Sequence, residues 1–223
     1  MSRVGSCHWA PLFNHTPRFG AGLSVEREPT PPGGPPTGEW RSLSAAIRSC
    51  RRCPLGSVRT HAVTYRGGRA PWIVFVGEAP GVEEDRAGLP FVGRAGAILD
   101  RAIERVGLGP ADFGIVNVLK CRPPANRFDP RAARTCRPYL DRQLDLLRPE
   151  RLVTLGRFAL QALRPGALPI LRAAGSPLPG EGRPVFPLIH PAATLRARRF
   201  ADRWERDVGA LAGWLADRPR QTP

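Results

Sequence analysis

The sequence predicts an α/β protein in which three layers, α/β/α, are built around a central four-stranded parallel sheet. Two observations carry this prediction. Four short apolar runs of strand length are spread along the chain, and segments with helical spacing lie between and after them. Alternating strands and helices favour a parallel sheet, because each helix returns the chain to the same edge and covers one face of the sheet.

The strands are predicted from continuous apolar runs of buried-strand length. The first, residues 72–76, reads Trp-Ile-Val-Phe-Val and ends at a glycine. Residues 114–119, 151–155 and 185–189 form the second, third and fourth strands. Such runs fit strands that are covered on both faces.

The helices are predicted from apolar side chains that recur every three or four positions. Residues 95–106 follow the first strand and a glycine-rich loop, and residues 131–147 follow the second strand. A short helix is predicted at 157–163, and an amphipathic helix at 200–215 closes the domain.

Composition divides the chain into a tail, one domain and a short end. Residues 1–39 are predicted to be a disordered extension, because residues 29–38 are almost entirely proline, glycine and threonine. The regular pattern then runs through residues 40–218, and residues 219–223 form a tail.

The charge balance favours nucleic acid as a partner. The formal net charge is +15 and the pI is near 11.4, and such a surface gathers polyanions by counterion release. Only one of the 34 lysine and arginine residues is a lysine, so a general preference for arginine also contributes. No apolar run is long enough to span a membrane and no secretion signal is evident, so we expect a cytoplasmic monomer.

Four cysteines predict a metal centre. Cys50 and Cys53 form a C-x2-C pair, and Cys121 and Cys136 form a C-x14-C pair far along the chain. Without secretion, such cysteines indicate metal binding rather than disulfides. The spacing leaves zinc and an iron–sulfur cluster open, but zinc sites usually repeat the tight pair, which favours the cluster. Cys7 is left over in the extension.

A ligand site is predicted where the parallel strands end. Ligands of such sheets bind outside the carboxyl ends of the strands. The segments that follow the four predicted strands are 77–81, 117–126, Gly156 and His190, and most of them are glycine-rich or polar.

These segments carry a resemblance to a known family. The sequence closely resembles the family 4 uracil-DNA glycosylases, the iron–sulfur branch of that superfamily, over roughly residues 44–216. The resemblance rests on the four cysteines and on four segments: G-E-A-P-G-V-E-E-D at 77–85, G-L-P-F-V-G-R-A-G at 88–96, N-V-L-K-C-R-P-P-A-N-R at 117–127 and H-P-A-A-T-L-R at 190–196. It implies a uracil-DNA glycosylase-like fold and a [4Fe-4S] cluster held by the four cysteines.

The resemblance also implies how a uracil flipped out of DNA would be bound. Phe91 would stack on the base, and the amide of Asn117 would pair with uracil N3–H and O4, which rejects cytosine because its donor pattern is inverted. Glu84 would lie where the methyl group of thymine must be refused. Gly77 and Ala79 count among the substrate-binding residues, in the loop that follows the first strand.

Three residues are the implied catalytic group. His190 would contact uracil O2 and stabilise the negative charge that develops as the glycosidic bond breaks. Glu78 and Asn126 are candidates to position the attacking water; Glu78 also counts among the substrate-binding residues. The best-known branch of the superfamily carries an aspartate where this chain has Ala79, so stabilisation of the leaving group is expected to matter more than base catalysis.

Leu195 and Arg196 are the predicted DNA wedge. An apolar side chain beside arginines suits insertion into the gap that an extruded base leaves. Thr194 stands where many relatives carry an apolar residue, and a solvated helix start is the alternative interpretation of this segment.

The predicted activity is hydrolysis of the uracil–deoxyribose bond in DNA, single- or double-stranded, which leaves an abasic site for base excision repair. Lys120 lies beside the cluster ligand Cys121, so no Schiff base and no lyase step are expected. Two alternatives stay open: a superfamily member that binds or crosslinks uracil-DNA without turnover, and a zinc-stabilised nucleic-acid-binding module. The first is disfavoured because the K-R-R-I-H insertion of the crosslinking branch is absent from the sequence.

Overall fold

The computed structural model describes residues 34–178 and 182–217, and within them five strands form one sheet in the order β1-β3-β2-β4-β5. The strands are β1 (Arg66–Gly67), β2 (Ile73–Gly77), β3 (Phe113–Asn117), β4 (Arg151–Leu155) and β5 (Val185–Leu188). Strands β2 to β5 pair in parallel, which confirms the predicted α/β class and its four parallel strands. The sheet is nevertheless mixed, because β1 pairs antiparallel with β3. Two residues are too few to produce an apolar run, so the sequence pattern missed this edge strand.

Helices lie on both faces of the sheet. They are α1 (Gly38–Ser49), α2 (Leu55–Val58), α3 (Val82–Ala87), α4 (Arg94–Arg105), α5 (Pro130–Leu147), α6 (Arg157–Leu163), α7 (Ile170–Ala173) and α8 (Arg198–Ala216), with single 3-10 turns at Pro124–Asn126 and Pro191–Ala193. The four predicted helices correspond to α4, α5, α6 and α8, with ends that agree within two residues. None of the helices in the described ranges has the length and apolarity that a membrane span requires.

Two of the helices that the sequence pattern missed matter for the site. The predicted glycine-rich loop contains α3, which has acidic residues in its first turn and ends at Gly88 with a φ of 71°. Acidic residues favour a helix N-terminus and glycine favours its C-terminal cap, but this helix is too short to show an apolar period. Helix α1 begins within the predicted 1–39 extension, where the Thr37 hydroxyl accepts a hydrogen bond from the Trp40 N–H.

The core has one layer of apolar side chains on each face of the sheet. Leu99 of α4 and Trp204 of α8 belong to one layer, and Trp40 of α1 and Leu140 of α5 belong to the other. This arrangement gives the three layers that the sequence predicts. Most of the predicted extension, including Cys7, lies outside the described residues, as do residues 218–223, so the domain boundaries stay a prediction.

Candidate active site and cysteine centre

A cavity of about 230 Å³ opens at the carboxyl ends of β2, β3 and β5. All of the predicted pocket, catalytic and wedge residues except Gly77 and Leu195 line it. The lining consists of Glu78, Ala79, Pro80, Gly81, Glu84, Phe91, Ala95, Asn117, Asn126, His190, Ala192 and Arg196. Four segments that are far apart in the sequence therefore meet at one site, as the rule for parallel sheets predicts.

Asn117, the last residue of β3, is 1% exposed, and neither its amide oxygen nor its amide nitrogen has a hydrogen-bond partner among the described residues. Gly77 lies beside it in register on β2. A Cβ atom on Gly77 would be 2.3 Å from Asn117 Oδ1 and 2.4 Å from the Phe91 ring. Glycine is therefore required here, and Gly77 supports the pocket from below.

Phe91 holds its ring at the pocket in a left-handed backbone conformation, with a φ of 55°. This conformation is uncommon for a residue with a side chain and is typical of functional sites. Gly96 makes it possible, because a Cβ atom there would be 1.9 Å from the Phe91 carbonyl oxygen. The centroid of the Phe91 ring is 5.8 Å from that of His190, and the two planes differ by 30°.

His190 is a neutral imidazole with a defined tautomer. Its Nδ1 accepts a hydrogen bond of 3.1 Å from the backbone N–H of Ala192, so the ring proton lies on Nε2. Burial, with a smaller contribution from the charge of Arg196, lowers the pKa of His190 to about 4. At neutral pH this residue is therefore an uncharged N–H donor.

The carboxyl group of Glu78 has a pKa near neutral pH. Burial raises its pKa to about 7, although the charges of Arg157 and Arg196 oppose the increase. A carboxyl group with a pKa in this range can exchange a proton at physiological pH.

Asn126 lies at the mouth of the cavity in a strained turn. Asn126 and the preceding Ala125 both have a φ of 53°. The Arg122 Nε donates a hydrogen bond of 2.9 Å to Asn126 Oδ1 and so fixes its amide. No sequence pattern marks Arg122 as a site residue, because its role depends on a turn that local spacing does not reveal.

Glu84 lines the cavity as a fixed wall. One carboxylate oxygen accepts a hydrogen bond of 3.0 Å from the Gly81 N–H, and the other accepts from Val92 and Gly93 at 3.0 and 2.9 Å. Glu84, a residue of α3, thereby connects Gly81 on one side of the loop with Val92 and Gly93 on the other. A carboxylate with three such partners is held in place.

The predicted wedge lies next to the cavity. Leu195 is 46% exposed, one of the more exposed large apolar side chains in the described part of the chain. The turn before it is held by the Thr194 hydroxyl, which donates a hydrogen bond of 2.8 Å to the Pro191 carbonyl. Thr194 therefore stabilises the turn, and Leu195 keeps an apolar surface toward solvent.

The four predicted metal ligands line a second, smaller cavity. They are free thiols: Cys121 and Cys136 are buried, and Cys50 and Cys53 are half-buried. The Arg59 Nη1 lies 2.8 Å from Cys121 Sγ, to which it donates, and the backbone N–H of Lys120 donates to Cys136. Hydrogen-bond donors of this kind stabilise thiolate ligands.

The residues around this cavity can be compared with what a metal centre held by cysteines requires. No three His, Cys, Asp or Glu side chains in residues 34–178 and 182–217 are arranged to hold one metal ion. A zinc ion needs four sulfurs that converge on one point, whereas each cysteine of a [4Fe-4S] cluster binds a different iron. The four thiols line one cavity together with three cationic residues, Arg52, Arg59 and Lys120, so the donor set fits a group that takes four cysteine ligands.

Several known proteins are similar to this chain over most of its length. The model of the uracil DNA glycosylase superfamily matches residues 66–208. A protein of Archaeoglobus fulgidus named type-4 uracil-DNA glycosylase is 41% identical over 75% of this chain and 90% of its own length. Proteins of the same name from Pyrobaculum aerophilum and Thermotoga maritima are 36% and 40% identical, over 81% and 70% of this chain and 96% and 83% of their own lengths. The chain therefore belongs to the uracil DNA glycosylase superfamily, and its relatives there include the type-4 enzymes.

Proposed function

We propose that this chain hydrolyses the bond between uracil and deoxyribose in DNA and leaves an abasic site, the first step of base excision repair. One observation carries the proposal. The buried amide of Asn117 lies on the wall of a cavity, and neither its donor nor its acceptor has a partner in residues 34–178 and 182–217. Buried polar atoms are normally paired, so this pair of atoms is best explained by a ligand that completes it.

Uracil forms hydrogen bonds with both polar atoms of the Asn117 amide in one orientation. The Asn117 Oδ1 accepts from uracil N3–H while Nδ2 donates to O4, and cytosine presents the opposite pattern at both positions. Phe91 stacks on the base from one side. The carboxylate of Glu84 is fixed by three backbone N–H groups, so it cannot move aside for the methyl group of thymine.

His190 stabilises the leaving group. Its Nε2–H donates to uracil O2, where negative charge accumulates as the bond from N1 to the sugar breaks. Because Ala192 holds the Nδ1 atom, the donor is oriented before the reaction begins. Donors that are already oriented toward developing charge are usually the largest single contribution to catalysis.

The attacking water is positioned by Glu78 and Asn126. The ionised form of Glu78 accepts a proton from the water as its oxygen bonds to C1′ of the sugar, and Arg122 holds the amide of Asn126 in place. Ala79 has no polar side-chain atom, so it takes no part in activating the water. The enzyme is monofunctional, because Lys120 is buried, its Nζ donates to the Asn117 carbonyl, and it does not line the cavity.

DNA binds across the mouth of the cavity. Leu195 enters the gap that the flipped nucleotide leaves, and Arg196 beside it contacts the backbone phosphates. The net charge of +15 supports binding to a polyanion.

Cys50, Cys53, Cys121 and Cys136 would hold a [4Fe-4S] cluster. When bound, the cluster would supply a crosslink between distant parts of the chain, and the hydrolysis would need no electron from it because no oxidation state changes. Cys121 follows Asn117 by four positions, so the crosslink secures the loop that leaves the pocket. We further propose that the protein acts as a cytoplasmic monomer.

The test uses holoprotein with its cluster and matched oligonucleotides that contain uracil, cytosine or thymine at one position. We expect release of uracil alone, and losses of roughly 10²–10³-fold in kcat for Asn117→Ala and His190→Ala. No uracil release by the wild-type holoprotein would contradict the activity, and a stable protein–DNA adduct would support the crosslinking alternative. A colourless protein with one zinc would exclude the cluster, which is expected to absorb near ~400 nm.

A further inference from the structure

Lys120 lies between the two sites and contacts both. It follows β3, one residue before Cys121, and its side chain is 1% exposed. Its Nζ donates a hydrogen bond of 2.5 Å to the backbone carbonyl of Asn117. Its own backbone N–H donates to Cys136, and its carbonyl accepts a hydrogen bond of 2.8 Å from the N–H of Val63.

The identity of this residue is unusual for the chain. Lys120 is the single lysine in a sequence that otherwise uses arginine for its basic side chains. A guanidinium is planar and broad, whereas an ammonium is a compact point donor on a flexible stem. The fully buried position beside the Asn117 carbonyl oxygen accommodates the compact ammonium of lysine and not the broad guanidinium of arginine.

Burial of an amine is energetically unfavourable, so the buried position of Lys120 indicates a specific role for this side chain. Removing a charged group from water costs several kcal/mol unless nearby charges and hydrogen bonds compensate. Lys120 lines the same small cavity as Cys50, Cys53, Cys121 and Cys136, so the cysteine centre lies directly against this residue.

The Asn117 side chain is the element that needs support. Its amide has no hydrogen-bond partner among the residues that the structure describes, so its position depends on its backbone and on the packing of Gly77 and Phe91. The hydrogen bond from Lys120 holds that backbone at the end of β3. A displacement of about 1 Å in a positioning group can cost roughly 100-fold in rate.

We propose that Lys120 is a positioning residue that transmits the placement of the cysteine centre to Asn117. The proposal rests on the proposed function and deepens it: the cysteine centre acts on uracil recognition through one side-chain hydrogen bond. The backbone N–H of Lys120 is fixed on Cys136, and its Nζ fixes the Asn117 carbonyl. The two hydrogen bonds set the distance between the two sites.

The main test is a double-mutant cycle on holoprotein with uracil-containing DNA. Lys120→Met keeps the length of the side chain and removes the donor. We expect kcat to fall roughly 10- to 100-fold, with KM within about threefold and the cluster absorption unchanged. If Lys120 acts through Asn117, the same substitution made in Asn117→Ala has little further effect. Arg105→Met, which removes an exposed cation that pairs with Glu205, is the charge-matched control and keeps wild-type kcat.

Three outcomes would overturn the proposal: a kcat of Lys120→Met within twofold of wild type, a full additional loss in the Asn117→Ala background, or a loss of activity that only parallels loss of cluster. An inactive wild-type protein would instead contradict the proposed function.

A second variant and a chemical measurement keep the test usable if Lys120→Met does not fold. Lys120→Gln retains an N–H donor, and we expect it to recover part of the lost kcat. Acylation of the wild-type holoprotein with N-hydroxysuccinimidyl acetate, followed by mass spectrometry, compares Lys120 with the α-amine. We expect Lys120 to react at least about tenfold more slowly, because it is buried and hydrogen-bonded; equal rates would overturn the proposal.

Discussion

The pocket and the cysteine centre lie at the two ends of the segment that joins Asn117 to Cys121, and their polar atoms differ in hydrogen bonding. In the pocket, the amide of Asn117 has no partner among the described residues. At the cysteine centre, Cys121 and Cys136 already receive hydrogen bonds from Arg59 and Lys120. A site for a transient ligand leaves its polar atoms open, whereas a site for a permanent group surrounds it with partners in advance. The predictions below test this difference.

The largest effect is expected from Cys136→Ala. Loss of one ligand removes the crosslink between α5 and the loop beside the pocket, so absorption near ~400 nm should disappear. Because a bound group that is absent from the unfolded state stabilises the fold, the melting temperature should fall by roughly 10 °C or more. Spectroscopy and thermal unfolding measure both, with Cys7→Ala as the control. Retained absorption in Cys136→Ala would show that this cysteine is not a ligand.

The next effect is a pH dependence that Glu78 produces. Its raised pKa, about 7, places the ionised form above that pH, so kcat should increase from pH 6 to pH 8. Glu78→Gln should lower kcat at pH 8 by roughly 10- to 100-fold and abolish this dependence.

The same group affects stability in the opposite direction. A pKa that is higher in the folded state than in the unfolded state stabilises the fold at low pH, and this contribution is lost as pH rises through 7. Relative to wild type, Glu78→Gln should therefore become more stable as pH rises. If Glu78→Gln shows the same pH–rate profile as wild type, another group causes the pH dependence of kcat.

A smaller effect is expected when the buried amide of Asn117 is compared with the buried amide of Gln143, whose nitrogen has a hydrogen-bond partner. Asn117→Leu replaces an unpartnered amide with an apolar side chain of similar size, so the free energy of unfolding should rise by about 1 kcal/mol while excision is lost. Gln143→Leu is the matched control, because Gln143 Nε2 donates 2.8 Å to the Thr64 carbonyl and its removal leaves that oxygen unpaired. Denaturant unfolding measures both variants. If Asn117→Leu were as destabilised as Gln143→Leu, the Asn117 amide would have a structural partner.

The smallest effect is expected from Arg122→Met. Arg122 touches the water site only through Asn126, so kcat should fall by roughly two- to fivefold with unchanged cluster absorption. Arg122→Lys keeps the charge but lacks the Nε donor, and it should lose a similar factor. Recovery in the lysine variant would mean that charge rather than the hydrogen bond matters.

Local patterns predicted much of the fold. The continuous apolar runs fixed the four parallel strands, and helical spacing identified α4, α5, α6 and α8. The patterns missed β1, with two residues, and α3, with six, because neither is long enough to show a period. They also missed the twelve-residue α1, which begins inside the proline- and glycine-rich extension. The prediction of a plain loop before Gly93 was wrong because it missed α3. It also did not include the structural role of Glu84, which connects the two sides of this segment.

The sequence by itself determined which chemical groups meet at the site. Strand order places the segments after β2, β3 and β5 at one edge of a parallel sheet, so Glu78, Asn117 and His190 follow from position in the chain alone. The spacing of the cysteines likewise indicated a four-ligand centre. These conclusions depend on residue type and local pattern, which the sequence contains directly.

Only the tertiary structure decided the state of those groups. The tautomer of His190, the raised pKa of Glu78, the open amide of Asn117 and the hydrogen bond from Lys120 to its carbonyl each depend on distances set by packing. Solvation and hydrogen bonding change over an ångström or two, a scale that spacing along a chain does not encode.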